Sequence, residues 1–166
     1  MSDMNLVKRV GMKIFVSSTS KDLKEYRDKA RKAIEESGNE FVGMEIFQSH
    51  TDEPSEFCPD KVEECGAFIL IVAYRYGFIP EGETISITYS EYEHALKKKI
   101  PLRIYVMSDK HPWPSESRDE NEEQIKKFRS LLLKKHTCSL FTTSESLYDK
   151  VNYSGLEALS VYGCLG

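Results

Sequence analysis

Ala67-Phe68-Ile69-Leu70-Ile71-Val72-Ala73 is the stretch that decides the fold. It is apolar throughout and does not alternate with polar residues, so both of its faces must be buried, as in the centre of a parallel sheet. Gly66 opens it, and a polar loop with Gly and Pro follows at 75–83. On either side the chain alternates short β-rich runs with longer amphipathic stretches. Upstream, 13–17 (KIFVS) reads as a first strand. Residues 20–37 read as a helix with Leu23, Tyr26, Ala30, Ala33 and Ile34 on one face, stopped at Gly38 and Asn39. Residues 41–47 read as a second strand, 48–59 as a polar loop and 60–65 as a short helix. Downstream, 88–99 is helical and 101–107 is a fourth strand. A loop rich in Pro, Ser and acid covers 108–121, a helix spans 122–135, a fifth strand 137–141 and a last helix 144–162.

Strand–helix alternation of this kind predicts an α/β fold: a three-layer, flavodoxin-like sheet of five parallel strands in the order 2-1-3-4-5, with helices on both faces. At 166 residues the chain is expected to form one domain, 1–166, that buries roughly 70% of its unfolded surface without staples. Such sheets bind ligands at the carboxyl edge, near the switch between strands 1 and 3. Function is therefore expected in the loops at 17–20, 74–88 and 48–59.

Composition removes several classes. Hydrophobic residues make up 40% and charged residues 30%, a globular balance, and a net charge of -4 lacks the footprint of a nucleic-acid binder. The longest apolar run is far short of the ~20 residues of a membrane span. Residues 1–10 are polar and mixed in charge, unlike a signal peptide. Cys58, Cys65, Cys138 and Cys164 form no CxxC pair, and His50, His94, His111 and His136 are scattered. A reduced, cytoplasmic protein without a metal is expected, buried thiols being a simpler account than a zinc site.

Three groups of residues carry possible chemistry. Ser17-Ser18-Thr19-Ser20, ahead of Lys21-Asp22-Leu23, places hydroxyls where a helix N-terminus holds anions; Thr19 or Ser20 acting as an ordinary N-cap is the competing account. Tyr74-Arg75-Tyr76-Gly77 brings rings and a guanidinium to the sheet edge, suited to a flat, partly anionic ligand; packing of the tyrosines on helices is the alternative. Glu91 is expected in the first turn of the helix leading to the fourth strand, with Ala95 four residues on, at the mouth of that edge. Thr88-x-x-Glu91 and Ser90-x-x-Glu93 also read as capping boxes. The candidate substrate-binding set is Ser17, Ser18, Thr19, Asp22, Tyr74, Arg75, Tyr76 and Ser86, with Glu91 as the candidate catalytic residue. Neither GxxxxGK[ST] nor GxGxxG occurs, against an NTPase or a dinucleotide-binding dehydrogenase, and no cofactor is expected.

Over about 12–147 the chain resembles the TIR-like superfamily. Within it, the chain is similar to the family with an SSTxxDLxxxR signature that is often fused ahead of STAND-type signalling NTPases. Lys13 to Arg27 carry the signature, and Gly43-Met44-Glu45, Arg75-Tyr76-Gly77 and Ser90-Glu91-Tyr92 with Ala95 also match. The resemblance implies that Glu91, with Ala95 and Leu96, corresponds to the glutamate with which TIR enzymes cleave the nicotinamide–ribose bond of NAD. Nucleoside deoxyribosyltransferases carry a similar E-x-x-x-A. Tyr89-Ser90 stand where many TIR domains have Trp-Cys. The implied function is N-glycosidic cleavage, most simply of NAD to nicotinamide and ADP-ribose, in cellular defence signalling. NAD or a related nucleotide is the implied partner, with self-association and a fused or bound signalling NTPase; neither nucleic acid nor membrane is expected. The competing functions are a non-catalytic self-association module and a nucleotide sensor. The position of Glu45, toward the ligand edge or toward a helix, is open at this level.

Overall fold

A computed structural model describes residues 11–47, 57–115, 118 and 121–153. Five parallel strands form one sheet in the order β2-β1-β3-β4-β5, as predicted. The strands are β1 (Lys13–Ser17), β2 (Glu40–Val42), β3 (Ala67–Val72), β4 (Leu102–Met107) and β5 (Ser139–Phe141). The helices are α1 (Lys24–Glu36), α2 (Met44–Phe47), α3 (Pro59–Glu63), α4 (Ile87–Lys97), α5 (Glu122–Lys135) and α6 (Ser144–Tyr153).

Every residue of β3 is buried, which is why its sequence does not alternate. The period of two is still visible in where its side chains go. Ala67, Ile69 and Ile71 join Ile14, Val16, Tyr105 and Met107 beneath α1 and α6. Phe68, Leu70 and Val72 join Phe15, Ile104 and Val106 beneath α3, α4 and α5. Phe15 and Phe68, on neighbouring strands, stack with ring centroids 5.5 Å apart. Each fully buried large apolar side chain contributes about 1.5–3 kcal/mol, so these two layers supply most of the stability.

Three expected boundaries move for identifiable physical reasons. The second strand, expected over 41–47, ends at Val42; after Gly43 the chain coils into the single turn of α2, which swings Glu45 back against α1. Helix α1 begins at Lys24 and not at residue 20; Leu23 stands at its N-cap without a side-chain cap bond, and the Thr19 hydroxyl donates to Asp22 (2.5 Å). Helix α4 begins at Ile87 with Ser86 as its N-cap, whose Oγ accepts from the Tyr89 amide at 3.2 Å. Thr88 and Ser90 therefore lie inside the helix, and neither expected capping box opens it. The last helix is described to Tyr153, and the rest of its expected span, like residues 48–56 of the loop expected over 48–59, lies outside the described residues; Pro59, the last residue of that loop, opens α3. The end of α1 at Ser37 and Gly38 and the bounds of α5 fall where the sequence puts them.

The described helices include none long and apolar enough to cross a membrane. Cys58, Cys65 and Cys138 are free thiols, and burial pushes the Cys65 thiol up to about 12; Cys164 lies outside the described residues.

Candidate active site

The carboxyl ends of β1 and β3 are flanked by α1, α2 and the start of α4. Ser17 closes β1 and is buried. Its hydroxyl donates to Glu91 Oε1 at 2.8 Å, so the glutamate in the second turn of α4 and the hydroxyl cluster behind the first strand are in direct contact. Glu91 is half-buried as a residue, yet its carboxyl is shielded from solvent. Desolvation raises its pKa to about 7, against the Ser17 hydrogen bond and the charge of Arg27, which favour the ionised form; Glu45 adds to the rise.

Ser18 and Thr19 are also buried. Ser18 Oγ donates to the Thr19 carbonyl at 2.7 Å and accepts from Arg27 Nη1 at 2.9 Å. Arg27 is 2% exposed and grips Glu45 with both arms, Nε to Oε1 at 2.5 Å and Nη2 to Oε2 at 2.8 Å. Burial pushes the Glu45 carboxyl up, but the hydrogen bonds and charge of Arg27 outweigh it and hold Glu45 below the usual carboxylate range. The site thus joins an ionised Glu45 to a Glu91 poised near neutrality, the pairing from which acid and base roles are made.

The loop after β3 does not act as one unit. Arg75 lines a narrow cleft with Ser18, Thr19, Gly77, Phe78 and Thr88, and donates to the Arg118 carbonyl at 3.4 Å. That cleft measures about 20 Å³, room for about one water. Tyr74 lies outside that cleft and packs on Trp113. Its ring lies between the guanidinium carbons of Arg118 and Arg129, each 4.5 Å from the ring centroid, and its hydroxyl donates to the Ser108 carbonyl at 3.3 Å. It borders a separate cavity of about 370 Å³ with Ile125 and Leu133. Tyr76 is buried among Tyr89 and Phe128. Ser86 is buried, caps α4 and hydrogen-bonds Tyr76. Of the nine candidates, Ser17, Ser18, Thr19, Asp22, Arg75 and Glu91 gather at one edge. Tyr74, Tyr76 and Ser86 serve packing and capping in this structure.

The sequence reading did not include Arg27 in the site, although a signal for it was present. Arg27 falls four residues after Leu23 and three before Ala30, on the apolar face of α1, where a cation needs a buried partner. Glu45 is that partner, which settles its direction as toward a helix. The described residues contain no cluster of three or more His, Cys, Asp or Glu suited to a metal ion.

The family model described as "Domain of unknown function (DUF4062)" matches residues 13–154. No curated protein matches. Among solved structures, a cysteine-to-alanine variant of flavodoxin from Pseudomonas aeruginosa is similar at 13% identity, over 92% of this chain and 95% of that one, with a TM-score of 0.38. With the family model spanning both the hydroxyl cluster and Glu91, the chain belongs to the DUF4062 family.

Proposed function

We propose that this domain is a TIR-like N-glycosidase that hydrolyses a nucleotide, NAD being the substrate of choice, with Glu91 as the catalytic carboxylate. The observation that carries the reading is the 2.8 Å contact between Glu91 and Ser17 at the carboxyl edge of a 2-1-3-4-5 sheet. The E-x-x-x-A resemblance around Glu91 supports it from the sequence side.

In this reading the bond between the ribose C1′ and the nicotinamide nitrogen breaks, and both bonding electrons leave with neutral nicotinamide. The ribosyl cation left behind is stabilised by ionised Glu91 beside the sugar, and the positive pyridinium of the incoming substrate favours that ionised form. Water adds at C1′ and its proton passes to Glu91, giving ADP-ribose. Ser18, Thr19 and Arg75 hold ribose hydroxyls or phosphate. In this reading the 75–78 loop moves off Thr19 to admit substrate and open a way to Glu91, which does not line the cleft. From the same resemblance we infer that the reaction serves defence signalling in the cytoplasm, under the control of self-association or a signalling NTPase.

A non-catalytic self-association module is the second reading. The small cleft favours it, as do the exposed side chains of Ile46 (54%), next to Glu45, and Phe78 (42%), on the cleft wall. One experiment separates the two. Concentrated protein is incubated with NAD and free nicotinamide is followed by chromatography, for wild type and Glu91→Gln, alongside sizing at the same concentrations. Nicotinamide release abolished by the substitution supports the enzyme. Association without release supports the module.

A further inference from the structure

We propose that Arg27 and Glu45 are positioning residues for Glu91, an ion pair that fixes the hydroxyl loop and sets the electrostatic surroundings of the carboxyl through two opposed charges. The inference rests on the reading of Glu91 as the catalytic group.

The geometry is specific. One guanidinium makes three hydrogen bonds in its plane, two to Glu45 and one to Ser18 Oγ. Ser18 answers by donating to the Thr19 carbonyl, so the turn that follows Ser17 is tied to α1 and α2 at once. Gly43 lies against the device: a Cβ there would sit 2.8 Å from both Arg27 Nη2 and Glu45 Oε2, so a side chain at this position would push on the pair. The groups that act on the charge of Glu91 come from three elements. Strand β1 gives the Ser17 hydroxyl, α1 gives the Arg27 cation, and α2 gives the Glu45 anion.

Arg27 and Glu45 act on Glu91 with opposite sign. Neutralising Glu45 leaves the cation uncompensated and makes ionised Glu91 easier to form. Neutralising Arg27 leaves the anion and makes it harder. A merely structural pair would do neither: its two deletions would loosen the same contacts and disturb Glu91 alike.

The test is the titration of Glu91 in the full chain without substrate. Glutamate labelled with 13C at Cδ is followed by NMR against pH, and the Glu91 signal is assigned by its loss in Glu91→Gln. Glu45→Gln is expected to lower the midpoint and Arg27→Met to raise it, each by on the order of one pH unit. The double variant is expected to fall between them. Shifts of the same sign in the two single variants, or no shift in Glu45→Gln, overturn the proposal. Should Arg27→Met fail to fold, Glu45→Gln decides alone, because half-exposed Glu45 tolerates an isosteric amide. The readout needs no turnover, so absent NAD cleavage would count against the glycosidase reading and leave this result standing.

Discussion

Ser17 and Glu91 are 74 positions apart in the chain, and their side chains meet at 2.8 Å, hydroxyl donating to carboxylate. That contact joins the end of the first strand to the second turn of α4 across the switch point of the sheet. It places a carboxyl that holds its proton up to about pH 7 in the same network as Glu45, which stays ionised through its two bonds from Arg27. Burial without a direct cationic partner separates the first from the second.

The raised pKa of Glu91 carries a stability consequence. An unfolded glutamate releases its proton near the ordinary 4.5, whereas folded Glu91 keeps it until about 7. Between those values the folded state binds more protons, so stability falls as pH rises through the window and stays lower above it. The loss is on the order of 3 kcal/mol. Glu91→Gln keeps an acceptor for Ser17 and carries no charge. It is expected to match wild type near pH 4 and to exceed it in urea denaturation at pH 8. Equal stabilities at pH 8 would contradict the buried, proton-holding carboxyl.

Much of this was legible in the sequence, for identifiable reasons. The unbroken apolar run of β3 fixes a doubly covered strand, and the strand–helix alternation leaves few topologies, so order and layers follow from patterning. Glu91 and the serines were legible from position, since the topology brings the loops after strands 1 and 3 and the next helix to one edge. Tyr74 and Tyr76 were not: two residues apart in an irregular loop, they part into different packing clusters, Tyr74 with Trp113 and Tyr76 with Tyr89 and Phe128, and no periodicity encodes that. Glu45 was misplaced onto a strand because Phe41, Val42, Ile46 and Phe47 look β-like together. The turn at Gly43 responds instead to a tertiary partner, the Arg27 guanidinium, which local propensity does not see.

Gly43→Ala tests that partner directly. The added Cβ would sit 2.8 Å from Arg27 Nη2, Glu45 Oε2 and Phe41 Cζ, closer than real contacts allow. The guanidinium is buried and held by three bonds, so relief comes by breaking the pair. The expected cost is about 1–3 kcal/mol, an overpacking penalty, read from the urea midpoint at pH 7. A neutral result would mean that the pair has room to shift.

Gly77→Ala and Gly82→Ala form a matched comparison. Both glycines have positive φ, +98° and +84°, so each substitution carries a backbone cost of roughly 1–2 kcal/mol. Around Gly82 nothing lies within 4 Å of an added Cβ, whereas at Gly77 it would approach Thr19 Cγ2 at 3.1 Å and Thr88 Oγ1 at 3.4 Å. Gly77→Ala is therefore expected to be the more destabilising in thermal melts, and the difference measures how tightly the 75–78 loop is closed on the hydroxyl cluster. If the two lose the same stability, the loop is not packed on Thr19.

Arg129→Lys tests a second buried guanidinium, the one that ties the ends of β3 and β4 together. Nη1 donates to the Ala73 carbonyl at 3.0 Å, and Nη2 donates to the Met107 carbonyl and to Asp109 Oδ1, both at 2.7 Å. The same group lies over the Tyr74 ring. Asp109 has a side chain 84% exposed, so the ion pair itself contributes little; the two strand-end carbonyls, both on buried residues, decide the energy. A lysine ammonium cannot span both carbonyls and stack on the ring. Arg129→Lys is expected to cost about 2–4 kcal/mol, the penalty of a buried carbonyl left without a donor plus lost packing. Asp109→Asn, by contrast, is expected to change stability by less than about 1 kcal/mol. Chemical denaturation of both variants ranks the two contributions, and a larger loss for Asp109→Asn would show that the surface charge, and not the carbonyl clamp, holds the strand ends.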